Sequence, residues 1–383
     1  MKKRKIAVIA SSRATYGYSR PVMRLIQKSK KLELALVVTG MHLLKEYGLS
    51  LNEILQDGFP IAAKADMMIG GDTGVAWAKS LGVGIQSFSQ VFSMLQPDIV
   101  LVEGDRGEQL AAALTAAYMN IPVAHIQSGD LSGHIDGAAR HAITKLCHIH
   151  FPACEDSAKR VERMGEELHR IFNVGAPQLD EIVYGKKISH KKLNQILNLD
   201  LKKRTALVIQ HPVLSELEQA RAQMIETLEA LREVGIQTII IYPNVDAGGE
   251  EMIKVIREYE QYPFLHSFKN LDRIVFLSLL THISILVGNS SCGIIEAPSF
   301  KIPVVNIGSR QRGRMQAGNV INTGYKRTEI RDALKRGLFD TSLRRRIMKC
   351  KNPYGDGKSA ARIVKVLETI KITPHLLDKK NTY

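Results

Sequence analysis

The sequence predicts an α/β protein made of two doubly wound domains of similar size, facing one another across a cleft. Three observations predict it. Short β-branched apolar runs alternate with helical stretches along the chain, the pattern of parallel strands joined by covering helices. Several of those runs end in glycine and a polar or basic loop, the place where open α/β sheets bind ligands. The pattern weakens around Val174–Lys192, where KKISHKK intervenes, and then starts afresh. For 383 residues, two domains of roughly 170–190 residues are the natural division.

Taken in order, KIAVIAS (5–11) is a first strand, and RATYGYSRP turns into a helix with Arg13 at the sheet's carboxyl edge. ELALVVTGMHL (33–43) repeats the pattern and ends beside His42. The next segment gives helix, strand, loop, helix and strand: DIVLVEG is the first of these strands, GDRGE opens an alanine-rich helix, and IPVAHI is the second. HIHFPACED and IFNVGAPQLD are expected to supply the last strands of this half. In the second half TALVIQHPV, QTIIIYP, ISILVG and KIPVVNIG are strands separated by helical patterns, and YGDGKSAARIVKVLETI closes the chain with a glycine turn and a helix. The division follows as 1–175, 176–358 and a terminal helix and tail over 359–383.

Composition narrows the class. A chain with 45% hydrophobic and 24% charged residues reads as an ordinary soluble globular protein. No apolar run approaches the roughly 18–20 residues of a bilayer span, so no membrane role is expected. The start, MKKRKIAVIASSRATYG, has an apolar stretch of only about five residues, short of the 7–15 of a signal peptide. A first strand and a cytoplasmic protein are expected instead. The four cysteines form no CxxC pair, which suggests neither a structural metal nor a redox dithiol. A net charge of +15 calls for an anionic partner. The basic clusters lack interleaved aromatics or a nucleic-acid motif, so a phosphorylated small molecule is favoured over nucleic acid.

The densest chemistry lies in Ala124–His150, AHIQSGDLSGHIDGAARHAITKLCHIH, with five histidines, two aspartates, an arginine and a lysine. It follows a buried strand and leads into a helix expected over Asp136–Leu146. A capped helix after a polar loop would account for some of it; so many capable side chains at one switch point favour a site. In the second half VGNSSCGIIEA reads as strand, tight turn and helix. Asn289, Ser290 and Ser291 are capping types, and free N–H groups at a helix start suit a diphosphate. Glu296 lies where it can accept from ribose hydroxyls, and His211, Asn244 and Arg310 sit at strand ends of the same half. Capping alone would also explain the serines. There is no Walker lysine motif and no GxGxxG after a first strand.

With these motifs in hand, GDRGE (104–108), HIQSGDLSGHIDGAARHAITKL (125–146), QHPV (210–213), YPNVDAG (242–248), GNSSCGIIEA (288–297), GSRQRGR (308–314) and YGDG (354–357), the chain resembles the hydrolysing UDP-N-acetylglucosamine 2-epimerase family. The motifs run in the family's order from about residue 5 to 370. The resemblance implies a GT-B-like pair of Rossmann-type domains, with the nucleotide held by the second, and a last helix that crosses back to the first. It also implies a homodimer or homotetramer. It assigns Arg13, His211, Asn244, Ser290, Ser291, Glu296 and Arg310 to UDP, places Arg106 on a binding position, and puts Asp105 and Asp136 on catalytic aspartates with His125 beside them.

Two departures stand out. RATY places Thr15 where an acid is common, and HIQSGD places Gln127 where a glutamate is common, with Asp130 shortening another acid. The expected chemistry is loss of UDP from C1, removal of the C2 hydrogen, and hydration of the resulting glycal to the free 2-epimer. Carboxylates act as acid and base, cations stabilise the leaving diphosphate, and neither a metal nor another cofactor is called for. Gln127 exchanges no proton at neutral pH. Asp130 or Asp136 then takes over, or the substrate is a related UDP-2,4-diacetamido sugar whose extra amide suits a neutral partner. A UDP-sugar hydrolase without epimerisation, a GT-B glycosyltransferase and a sugar-nucleotide sensor are the alternatives.

Overall fold

The computed structural model describes residues 2–44, 51–70, 73–132, 134–243 and 248–383. The side chains of residues 13, 14, 134, 135 and 214 lie outside that description. The chain divides into two compact units, residues 1–181 with 354–383, and residues 182–353.

The first unit holds β1 (Arg4–Ala10), β2 (Leu32–Thr39), β3 (Ile61–Ala65), β4 (Ile99–Glu103), β5 (Val123–Ile126) and β6 (Ile149–Phe151). They form one parallel sheet in the order β3-β2-β1-β4-β5-β6. The second unit repeats the plan with β7 (Thr205–Ile209), β8 (Gln237–Ile241), β9 (Leu265–Phe268), β10 (Ile285–Gly288), β11 (Val304–Ile307) and β12 (Val320–Thr323), ordered β12-β11-β10-β7-β8-β9. In each sheet the order reverses beside the first strand, giving a switch point between β1 and β4 and another between β7 and β10. Ligands bind outside the carboxyl ends of the strands at such points.

The central strands are apolar throughout because helices cover both faces. In β1, Ile6, Val8 and Ala10 enter one core while Ala7 and Ile9 enter the other. The edge strands β3, β9 and β12 carry partly exposed residues such as Lys64, His266 and Asn322, and this mixed pattern left them unread in the sequence. One expected strand is corrected. In IFNVGAPQLD only Ile171 makes an isolated bridge, to His150; asparagine, glycine and proline leave too short a run to extend the sheet.

Thr15, one of the two departures, has a local explanation. It closes a capping box on the helix Arg13–Lys28: Ser12 Oγ accepts from Thr15 N, and Thr15 Oγ1 accepts from Ser12 N at 3.0 Å. A threonine thus takes the reciprocal role usually filled by an acid.

The helix Ser359–Thr369 returns to the first unit and packs on Arg13–Lys28. Its first N–H groups, Ser359 and Ala360, donate to Asp180 Oδ1 and Oδ2 at 2.9 and 2.8 Å. The approach is close at Gly175, where φ is +88° and a Cβ would lie 2.6 Å from Ser359 Oγ. The tail beyond is latched by Arg170. Its fully buried guanidinium donates to the carbonyls of Leu376, His375 and Asp378 at 2.6, 3.0 and 3.2 Å.

Glu166, 1% exposed, completes the latch by pairing with His150, Lys145 and Lys379. Burial favours its neutral form, but these three partners outweigh burial and hold its carboxyl down to about 2. A depressed carboxylate contributes stability above its unfolded pKa and loses it as pH falls toward the folded value. Acidification from pH 5 to 2 is therefore expected to remove roughly 3 kcal/mol through this group alone. Urea midpoints measured across that range for the wild type and Glu166→Gln check it. Equal acid loss in both would exclude the cluster as its source.

Candidate active site

In the first unit the loops after β4 and β5 meet at the carboxyl edge of the sheet. Gly104 N donates to Ile126 O at 3.1 Å, tying the two exits together. Arg140, on the helix His134–Leu146 and 4% exposed, organises what lies there. Its Nη2 pairs with Asp105 Oδ2, its Nη1 donates to the Gln127 carbonyl at 2.9 Å, and its Nε donates to Ser132 Oγ at 3.1 Å. Ser132 Oγ in turn donates to Asp105 Oδ2 at 2.5 Å. Asp105 remains about one-fifth exposed, so one carboxylate is oriented by a buried cation and still reaches solvent.

Gln127 has a left-handed backbone, φ +60°, uncommon for a residue with a Cβ. Its N–H donates to Phe151 O at 2.9 Å and its side-chain amide reaches Gln178 Oε1 at 3.3 Å. A neutral amide therefore occupies the position, bonded to another neutral amide. Asp130 is buried and accepts from Ser157 Oγ. Asp136 is exposed in the first turn of the helix, one turn before Arg140, and its charge acts on Arg106. Arg106 Nε lies 3.5 Å from the enclosed Glu108, and its guanidinium sits 5.8 Å over the Trp77 ring. Nearby acids, Glu108 first, raise its pKa against the burial that lowers it.

His125 has a different position from the one expected of a proton carrier. The ring is fully buried, with Nε2 at 2.7 Å from Gly104 O and Nδ1 at 3.2 Å from Thr144 Oγ1. Burial pushes its pKa down to about 3, with the Gly104 carbonyl pulling the other way. It braces the β4 exit as a neutral ring. His148 and His150 are likewise engaged, by Val123 N and by Glu166. His42 is enclosed at the end of β2, edge-on to Tyr16 at 5.9 Å.

In the second unit three strand exits converge. Asn289, directly after β10, clamps the chain after β7: its Oδ1 accepts from His211 N at 2.7 Å and its Nδ2 donates to His211 O at 2.8 Å. The Asn289 carbonyl accepts from Arg310 Nη1 at 3.1 Å and Gln311 Nε2 at 2.8 Å, drawing in the loop after β11. Gly288 permits this: at φ +121°, a Cβ would lie 2.2 Å from Ile209 O. Ser290 caps Ser291–Ile295. Glu296 is buried and paired with Arg273 at 2.7 Å. His211, Ser290, Ser291 and Arg310 are thus gathered on adjacent loops. Asn244 lies outside the described residues, as does the Arg13 side chain, although Arg13 begins its helix as expected.

Sequence reasoning passed over Arg140, Ser132, Glu103 and Gln311. The available signal for Arg140 was its spacing of four from Asp136, which puts both on one helical face. Among the described residues no group of three or more His, Cys, Asp or Glu side chains is arranged to hold a metal. Among them, too, no helix is long and apolar enough to cross a membrane.

The family model described as UDP-N-acetylglucosamine 2-epimerase matches residues 24–368. The chain belongs to that family. It is 40% identical over 380 residues to the UDP-N,N'-diacetylbacillosamine 2-epimerase (hydrolyzing) of Legionella pneumophila, covering 99% of this chain and all of that one. It is 33% identical over 329 residues to the GDP/UDP-N,N'-diacetylbacillosamine 2-epimerase (hydrolyzing) of Campylobacter jejuni, covering 84% and 85% of the two chains. In fold it is similar to the crystal structure of the Neisseria meningitidis UDP-GlcNAc 2-epimerase bound to UDP-GlcNAc, with a TM-score of 0.84, 21% identity, and 95% and 99% of the two chains covered. The paired six-stranded sheets are therefore the GT-B-like architecture of the epimerase family.

Proposed function

We propose that this epimerase-family protein hydrolyses a UDP-2,4-diacetamido-2,4,6-trideoxyhexose with inversion at C2, releasing UDP and the free 2-epimer. The observation that carries the reading is the full-length 40% identity with the Legionella enzyme named for UDP-N,N'-diacetylbacillosamine. The site supports it, since Gln127 offers a neutral amide in contact with Gln178, suited to an acetamido group rather than to proton exchange.

In this reading His211, Ser290, Ser291 and Arg310 hold the diphosphate with Asn244 and Arg13, and Glu296 accepts from the ribose while Arg273 holds its other side. Charge on the departing diphosphate is met by Arg310, Arg13 and Arg106. Asp105 and Asp136 supply the carboxylates at the sugar, one of them the base that takes the C2 proton. Asp130 and His125 hold the loop that carries Gln127, and His42 closes the neighbouring strand exit.

The test is incubation with UDP-N,N'-diacetylbacillosamine and, separately, UDP-N-acetylglucosamine in heavy water, with products read by NMR. The expected result is UDP plus a 2-epimer carrying deuterium at C2, with kcat/KM about 10-fold or more in favour of the diacetamido sugar. Preference for UDP-N-acetylglucosamine overturns the substrate assignment. Free sugar of unchanged configuration without deuterium means hydrolysis alone, and no UDP release without an added acceptor means a transferase or sensor.

A further inference from the structure

We propose that Glu103 is the acid that returns a proton to C2 of the sugar, the exchangeable group that Gln127 is not; this rests on the epimerase reading above. Glu103 is the last residue of β4 and pairs in register with Ile126, the residue before Gln127. Glu103 closes β4 and Gln127 directly follows β5, so the two residues lie side by side at the carboxyl edge of the sheet. Glu103 is 2% exposed, and its Oε2 is buried without a hydrogen-bond partner. A carboxylate in such a place normally has a cation to itself. The cation present, Arg140, is committed to Asp105, Ser132 and the Gln127 carbonyl.

The charged groups acting on Glu103 are Arg140 from the helix, Asp105 from its own loop and Asp130 from the loop after β5. His125, the other titratable ring at this exit, is neutral. Burial pushes the Glu103 pKa well up; Arg140 opposes this, while the two aspartates add to it. Burial thus favours the protonated carboxyl at Glu103, while Asp105, ion-paired to Arg140, serves as the ionised partner. Two carboxyl groups set apart by environment make an acid and a base.

The steps balance. In the elimination the C2–H proton passes to the carboxylate base and the C1–O electrons leave with UDP. In the hydration the Glu103 O–H proton goes to C2, and the double-bond electrons form the new C–H bond. Water oxygen adds to C1, its surplus proton restores Glu103, and the base releases its proton to solvent.

Glu103→Gln keeps the volume and neutrality of the protonated side chain but has no proton to give. With UDP-N,N'-diacetylbacillosamine it is expected to release UDP within about tenfold of wild type, while free 2-epimer falls about 100-fold or more and glycal accumulates in the NMR spectrum. The double variant E103Q/Q127E is expected to regain epimer to within about tenfold of wild type. Epimer at the wild-type rate in E103Q, or a double variant no better than E103Q, overturns the proposal. Should E103Q fail to fold by circular dichroism, Glu103→Asp, which keeps an exchangeable proton but holds it one methylene further back, is read in the same way. Glycal accumulating while UDP release stays within about tenfold of wild type supports Glu103, and epimer at the wild-type rate without glycal overturns it. If wild type releases UDP from neither this nucleotide nor UDP-N-acetylglucosamine, the epimerase reading itself fails, an outcome distinct from all the others.

Discussion

Asp105→Asn is expected to slow UDP release from the sugar nucleotide by about 10²–10⁴-fold, the range for losing a positioned acid–base group. Asp105 is the partly exposed carboxylate that a buried arginine and a serine hydroxyl hold in one orientation. Asparagine keeps the shape and one accepting oxygen but takes no proton. Because His211, Asn244, Ser290, Ser291 and Arg310 of the proposed diphosphate set belong to the second unit, and the substitution leaves Arg13 and Arg106 in place, binding of UDP alone should change by less than about threefold. Steady-state release of UDP, with calorimetry of UDP binding, reads both quantities. Turnover within about threefold of wild type would leave Asp105 as a structural partner of Arg140 and Ser132.

Arg140→Met is expected to cost about 3–5 kcal/mol of folding stability, the range for breaking a buried ion pair from one side. The substitution fills much of the same volume. It strands the Asp105 carboxylate and leaves the Gln127 carbonyl and Ser132 without their shared donor. Arg140→Lys separates charge from geometry, because an ammonium lacks the planar fork that serves three acceptors at once. It should recover a good part of the stability while leaving turnover at least about tenfold down. Denaturant midpoints and turnover on the same preparations check this. A loss below about 1 kcal/mol in Arg140→Met would show that the pair contributes no more than an exposed one.

Much of the first unit's site was legible in the chain because it lies in two short loops. Asp105, Arg106, Gln127, Asp130 and Asp136 all fall within motifs, and strand exits at a switch point bring such loops together. The histidines were less legible. Five in one stretch read as chemistry, yet His125, His148 and His150 are engaged by Gly104 O, Val123 N and Glu166. A histidine in a sequence does not say which way its ring points. Glu103 shows the converse. In DIVLVEGDR it looks like the polar end of a strand, and only a buried Oε2 with no hydrogen-bond partner marks it as unusual.

The sequence by itself determined the class of fold, the family and the loops that carry the chemistry. Apolar periodicity, glycines at strand exits and the order of the motifs are local properties, and they survive being read one residue after another. The tertiary structure decided what each polar group experiences. It gave Thr15 a capping role in place of an acid, left IFNVGAPQLD out of the sheet, and latched the tail with Arg170. It also made Arg140 the common partner of Asp105, Ser132 and the Gln127 carbonyl. Those outcomes depend on burial and on partners distant in sequence. Desolvation and charge pairing act through space, and so no linear pattern encodes which carboxyl keeps its proton.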